Sequence, residues 1–275
     1  GVPPDPEPVV PNGVEAAAPP RPPNPLNLPP PPPHGGAEGS KRDRLAAEAK
    51  TVRHKLCHFP KNPFCSACQR AKAVDKQCRK AENKAKGGPV RDDDIVPKRF
   101  GDLITGDPIG MNPEKDAGVS PLGDMRNGIV LKDAGTGWSD LAPKASRSGP
   151  DAEAALRDFV GTRKVKQFYS DNAPELLQAA RKLGCAHPTS RPYRSATNSV
   201  AERHVGKVKG GTRTALVQGG FPPKWWTFAG RHFCFMLNIM RFTLEVASPW
   251  QKIHQGHEFH GLVIPFGALC DFRPT

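Results

Sequence analysis

The chain has 275 residues, 32 of them proline, with 40 Lys and Arg against 27 Asp and Glu and a formal charge of +13; its mean hydropathy is -0.55. That length allows one large or two small domains, and the charge favours a polyanionic partner, either nucleic acid or an anionic membrane surface. No apolar run approaches the roughly 18–20 residues of a membrane span, and seven unevenly spaced cysteines argue against a secreted disulfide scaffold and for a reduced, partly metal-binding chain.

Residues 1–40 hold 15 of the prolines, including the run Pro29–Pro33, and carry a charge of about -3. With almost no aromatic residues, this stretch buries too little apolar surface to offset its ordering entropy and is expected to be a disordered, Pro-rich linker. It lacks the basic-then-apolar pattern of a secretory signal. Residues 41–90 reverse the composition, with 14 Lys and Arg against 4 Asp and Glu. So concentrated a charge reads as a segment facing polyphosphate rather than a balanced, solvated helix.

Within it, RHKLCHFPKNPFCSACQRAK (53–72) places His54 and His58 one helical turn apart, then Cys65 and Cys68 in a Cys-x2-Cys knuckle. Two imidazoles and two thiolates suit tetrahedral Zn²⁺, whose binding would supply folding energy that so short a segment lacks. Cys57 and Cys78 are spare donors outside this set.

From about residue 97 the composition becomes that of a packed domain. FGDLITGD (100–107) and NGIVLKD (127–133) predict strands that each end near an Asp. SGPDAEAALRDFVG predicts a helix capped at Ser148 with Pro150 early and Gly161 at its end, burying Ala155, Leu156, Phe159 and Val160. KQFYSD (166–171) reads as a short buried strand, and 172–184 as a helix with Leu176, Leu177, Ala180 and Leu183 inward. A helix containing Glu202 follows, weakened midway by Gly210-Gly211, and an apolar helix spans about 224–240. Strands first and then alternating helix and strand give an α/β chain, a mixed sheet flanked by helices.

Three carboxylates stand out. Asp107 and Asp171 end strands, and Glu202 opens a helix in ATNSVAERHVGKVKGG (196–211), where it is almost alone among cations. Ser199-x-x-Glu202 also reads as a capping box. If the sheet brings the three acids together, their mutual repulsion demands cations, and hard oxygen donors select Mg²⁺ or Mn²⁺. Lys209, seven residues after Glu202, shares its helical face, and Arg213 lies one turn further; both could meet phosphates. Asp102, Asp124 and Asp133 are read as turn formers, Trp225 and Trp226 as packing anchors, and His187, His254, His257 and His260 as non-catalytic.

Asp107, SDN at 170–172 and RPYRSATNSVAER at 191–203 resemble the catalytic core of retroelement integrases, DDE polynucleotidyl transferases with an RNase H-like fold. GFPPKWWTFAGRHFCFMLN (220–238) and SPWQKIHQGHEFHGLVIPFGAL (248–269) look like the blocks that follow the core in copia-type integrases, and the His54/His58/Cys65/Cys68 set looks like the family's HHCC zinc module. The similarity covers about 54–70 and 97–269. It implies a linker at 1–40, a zinc module within 41–90, an RNase H-like core at 97–219 and a helical extension at 220–275, as a segment of a longer retrotransposon polyprotein. It further implies a catalytic triad of Asp107, Asp171 and Glu202 holding Mg²⁺ or Mn²⁺, Zn²⁺ on the HHCC set, and DNA contacts from Lys207, Lys209, Arg213 and Tyr193. A homo-oligomer acting on DNA ends and target DNA in the nucleus, with no membrane association, is the expected setting. DNAPEL stands where the family usually carries a Gly-rich DNGGEF, and the HHCC spacing is compressed, which argues against the module's usual three-helix fold. A catalytically degenerate or domesticated relative that keeps nucleic-acid binding is the alternative.

Overall fold

The computed structural model describes residues 40–72, 97–110, 120–188, 199–241 and 247–270. The Pro-rich stretch 1–39, Cys78 and the remainder of the basic segment from 73, and Tyr193 lie outside the described residues.

Three short helices open the described chain: α1 (Lys41–Lys50), α2 (Val52–Cys57) and α3 (Ser66–Ala71). Ser40 caps α1 in a reciprocal box, its Oγ accepting from the Asp43 amide while the Asp43 carboxylate accepts from the Ser40 amide. Thr51 caps α2, its hydroxyl accepting from the His54 amide. The compressed HHCC spacing therefore does not prevent three helices, although two of them have only six residues.

The sheet has four strands in the order β3-β2-β1-β4. Strands β1 (Ile104–Gly110), β2 (Asn127–Asp133) and β3 (Ser139–Lys144) form an antiparallel meander, and β4 (Phe168–Tyr169) joins β1 in parallel. Gln167 and Ala186 form a further parallel bridge beyond β4. β2 has the predicted bounds, whereas β1 starts four residues later than the expected 100 because Gly101 and Asp102 turn the chain. The Gly101 amide donates to buried Asp133, and Asp102 accepts from the Lys98 and Arg99 amides. Asp133 also accepts from the amide and hydroxyl of Thr136, and Asp102 pairs with Lys166 at 2.7 Å. Both acids are turn formers, as expected.

Alternation along the strands divides the core between two faces. Ile104, Ile129, Leu131 and Phe168 pack against α4 (Gly149–Val160) and α5 (Pro174–Leu183). Ile109, Val130 and Leu141 face α6 (Ser199–Gly219) and α7 (Trp226–Ile239). This is the mixed sheet flanked by helices expected for an RNase H-like core.

Helix α4 begins at a Ser148 cap with Pro150 in its first turn and ends at Gly161, burying the four predicted residues. Helix α5 starts after Ala173 and ends at Gly184 in the left-handed region. It buries Leu176, Ala179 and Ala180 and leaves Leu177 and Leu183 half-exposed.

Helix α6 runs unbroken through Gly210 and Gly211, against the expected weak point. At Gly211 a β-carbon would collide with the Phe233 ring, so the glycine permits the close crossing of α6 and α7. In α7, Asn238 extends its carboxamide to edge strand β3, accepting from the Ser139 amide at 2.9 Å and donating to the Ser139 carbonyl at 2.8 Å. An Asn side chain thus supplies the pairing that a fifth strand would give. Trp226 is buried and Trp225 packs on Phe221 and Phe228, so both are packing residues. A short α8 (Pro249–Ile253), boxed by Ser248 and Gln251, follows. No helix among the described residues is long and apolar enough to cross a membrane.

Candidate nucleic-acid and metal sites

Register brings two of the three acids together. Thr105 pairs with Tyr169 across the parallel β1–β4 ladder; Asp107 lies two residues further along β1, and Asp171 two residues further along the chain, just beyond the end of β4. Asp107 and Asp171 therefore lie at about one level at this end of the sheet. Pro108 follows Asp107 immediately and has no N–H to offer; the β1–β4 pairing has ended by that point, so the missing donor costs no ladder bond. Asp107 shares its face with Ile109, which packs toward α6, and Glu202 stands exposed in the first turn of that helix. A carboxylate there is also favoured by the helix dipole. Ser199's side chain lies outside the described set, and the capping box with it.

The charges feel one another. The Asp107 carboxyl is pushed up to about 6 by burial, then by Asp171 and by Glu202, while Lys209 opposes the shift. Crowded acid oxygens with one cation nearby are a donor set that suits Mg²⁺ or Mn²⁺. The three are not drawn in fully: among the described residues, only the His54, His58, Cys65 and Cys68 donors form a group lying within 4.8 Å of one another.

Two residues not predicted for the site support Asp171. The Ser170 hydroxyl donates to the Asp171 carbonyl at 2.8 Å and lies 2.8 Å from His187 Nε2. The His187 ring stacks on Phe168, with centroids 5.2 Å apart. The Asp171 carboxylate accepts the Ala173 amide at 3.3 Å, fixing the turn into α5. Nothing in the spacing of Ser170 and His187 signals this, because their contact depends on the bridge beyond β4.

Along α6, an advance of about 100° per residue places Glu202, Gly206, Lys209 and Arg213 within an arc of about 60°, and all four are exposed. Lys207 belongs to another face: its ammonium sits over the Phe59 ring, 3.8 Å from the centroid. His204 is buried on the inner side and held down to about 3, chiefly by burial and then by Lys132 and Lys207.

The four predicted zinc ligands converge and are all buried. His58 Nδ1 lies 3.4 Å from Cys65 Sγ and 3.7 Å from Cys68 Sγ, and His54 Nε2 lies 3.5 Å from Cys68 Sγ. With Zn–S of about 2.3 Å and Zn–N of about 2.0–2.1 Å, a tetrahedral N···S edge measures about 3.6 Å, so this donor set fits the ion. Burial, with His54 adding to it, holds His58 down to about 4, and burial likewise lowers His54. Both rings are thus neutral at pH 7, the form that binds metal. His58 ends α2 with φ of 51°, a left-handed conformation that turns its ring toward the thiols. Cys57 is not part of the set: it lies in the core against α6 and α7, its thiol pushed up to about 11 chiefly by burial.

This segment is packed onto α6. Leu56 and Cys57 share a core with Val205 and Val208, and Cys65 and Cys68 pack with Val217. Gln218 donates to the Lys55 carbonyl at 3.1 Å. One face of α6 therefore carries the His/Cys segment, and another carries Glu202.

No family model and no curated protein matches the sequence. Among solved structures the chain is similar to the BIV integrase catalytic core domain, with 17% identity and a TM-score of 0.42 over 56% of this chain and 95% of that one. It is also similar to the HTLV-2 integrase catalytic core domain in complex with magnesium in a trimeric form, with 16% identity and a TM-score of 0.42 over 56% of this chain and 97% of that one. Both neighbours are retroviral integrase catalytic core domains.

Proposed function

We propose that residues 97–219 are the catalytic core of an integrase of the copia retrotransposon type, a polynucleotidyl transferase that trims DNA 3′ ends and joins them to target DNA. The observation that carries this reading is the register that brings Asp107 of β1 and Asp171, just past the end of β4, to one level, with Glu202 and Lys209 of α6 close enough to shift the Asp107 carboxyl. Asp107 and Asp171 would hold the divalent ions and Glu202 would complete the second position. When bound, Mg²⁺ or Mn²⁺ supplies activation of the attacking oxygen and stabilisation of the leaving one. Lys209 and Arg213 seat phosphates beside the acids, and Tyr193, six residues before α6 in the sequence, is a further contact; Lys207, held over the Phe59 ring on another face, is not assigned one. In the first reaction water attacks a phosphodiester and releases a 3′-hydroxyl; in the second that hydroxyl attacks a target phosphodiester and displaces a strand. No covalent protein intermediate is required, so positioning and charge carry the catalysis.

His54, His58, Cys65 and Cys68 would hold zinc as a structural ion. The wider setting follows from the same reading: a segment of a polyprotein, working as a homo-oligomer on DNA in the nucleus, with the basic segment 41–90 adding affinity for the phosphate backbone.

The test is joining on a branched DNA substrate, which needs no native DNA ends, with Mg²⁺ or Mn²⁺. The chain should join strands, and Glu202→Gln should lower the rate by about 100-fold or more while leaving duplex binding in place. A folded, DNA-binding chain that joins nothing with either metal would shift the assignment to a degenerate integrase that retains binding alone.

A further inference from the structure

Strand β4 ends at Tyr169, so the ladder with β1 does not itself hold Asp171. What holds it comes from further along the chain. Gln167 and Ala186 form a parallel bridge, with the Phe168 amide donating to the Ala186 carbonyl at 2.8 Å and the Ala186 amide to the Lys166 carbonyl at 3.1 Å. This pairing sets His187 beside Phe168, and the two rings stack with 14° between their planes. The imidazole then reaches Ser170, which is fully buried. The Ser170 hydroxyl lies 2.8 Å from His187 Nε2 and 2.8 Å from the Asp171 carbonyl.

A serine hydroxyl has one proton to give, and a carbonyl can only accept. With that proton on the Asp171 carbonyl, the contact to His187 is a hydrogen bond only when Nε2 carries a proton and Oγ accepts it. The two bonds then run in one direction, Nε2–H to Oγ and Oγ–H to the carbonyl, so that each polarises the other. At the side chain, one Asp171 carboxylate oxygen accepts the Ala173 amide at 3.3 Å. Asp171 is therefore gripped at both its carbonyl and its carboxylate, where repulsion from Asp107 would otherwise turn it away. We infer that His187 and Ser170 are a positioning pair that fixes Asp171 in the geometry a divalent cation needs, with His187 as the Nε2–H tautomer and Ser170 as the relay. The inference rests on the reading of Asp107, Asp171 and Glu202 as a metal site. It gives His187 a role that is not catalytic: the ring acts through Ser170 and is no donor to the ion.

The experiment compares the full wild-type chain with Ser170→Ala, His187→Phe and His187→Gln. Phenylalanine keeps a ring on Phe168 without the donor, and glutamine keeps a donor without the ring. Three quantities are read: the melting temperature without Mg²⁺, the Mg²⁺ concentration that gives half of the metal-induced rise in melting temperature, and joining of the branched substrate. Residues that orient a metal ligand typically change affinity or activity by about 10–100-fold. Ser170→Ala and His187→Phe should accordingly raise the Mg²⁺ midpoint by about tenfold and lower the joining rate by about 10–100-fold, with KM for DNA unchanged. His187→Gln should recover part of both. A pair that serves packing alone would lower the melting temperature without Mg²⁺ and leave the midpoint where it was. That result, or variants equal to wild type in midpoint and rate, overturns the inference. A wild-type chain whose melting does not respond to Mg²⁺ overturns it together with the metal reading of the acids. A wild-type chain that responds to Mg²⁺ but never joins removes the catalytic reading only, and a raised midpoint in the variants then still carries the positioning role.

Discussion

A carboxylate crowded by other acids answers to pH in the opposite sense from one paired with a cation, and Asp107 and Asp102 are examples of each. Asp102 is held below the usual carboxylate range by Lys166 and by the amides of Arg99 and Lys98, so it strengthens the fold at neutral pH and loses that effect in acid. Asp107 is the reverse. Its folded value of about 6 stands above the unfolded 3.8, so the folded chain binds the proton more tightly and loses stability as pH rises from about 4 through 6. Asp107→Asn cannot ionise and should gain on the wild type across that window, reaching about 1–2 kcal/mol above pH 7 in metal-free buffer once partial exposure is discounted. Millimolar Mg²⁺ should close the gap by neutralising the acids in the wild type only. Melting curves at pH 4.5, 6 and 7.5, with and without Mg²⁺, check this; a gap indifferent to both pH and metal would mean that the acids do not share a site.

At the scale of elements, α6 joins two chemistries. Its outer stripe bears Glu202, Lys209 and Arg213, while Val205, Val208 and Val217 pack against the segment that carries the zinc ligands. Loss of the ion should therefore loosen the helix that presents Glu202. Cys68→Ser is expected to lose zinc stoichiometry and lower the melting temperature by about 10 °C or more. Hydrogen exchange should speed up along α6 as well as in α2 and α3. Faster exchange confined to residues 52–71 would show that the segment folds independently of α6. The elements that the sequence specifies locally were legible in it. The Ser148 cap, Pro150 and Gly161 bound α4, and the residue types and spacing of His54, His58, Cys65 and Cys68 mark the buried cluster whose donors converge and could hold a metal ion. Strand β3, SDLAPK, was not legible, because a short stretch with Asp140 and Pro143 has little strand character of its own and is set by pairing with β2 and by Asn238. Gly211 was legible as a glycine but misread as a weak point, since its use appears only with Phe233 beside it. The acids could be nominated from the sequence, yet their shared level depends on the Thr105–Tyr169 register, which no local pattern encodes.

For the whole molecule, the proposed function turns on where the +13 charge would meet a nucleic acid. Most of it belongs to residues 41–90, while the exposed stripe of α6 supplies only Lys209 and Arg213 beside the acids. The two sources differ in what they can do. Cations of the basic segment add affinity for any phosphate surface, whereas those on α6 can hold a strand only where Glu202 can reach it. Salt dependence separates them, because each phosphate contact that is lost removes about 0.9 from the slope of log K against log salt on duplex DNA. The double variant Lys209→Ala/Arg213→Ala should reduce the slope by about 1.8, weaken binding equally across sequences, and lower joining by more than it lowers binding, because these two cations share the exposed stripe of α6 with Glu202. Titrations between 50 and 200 mM salt, run beside the joining assay, measure both quantities. If the slope and the joining rate both stay at their wild-type values, the outer stripe of α6 is not where the strand lies, and the basic segment carries the binding by itself.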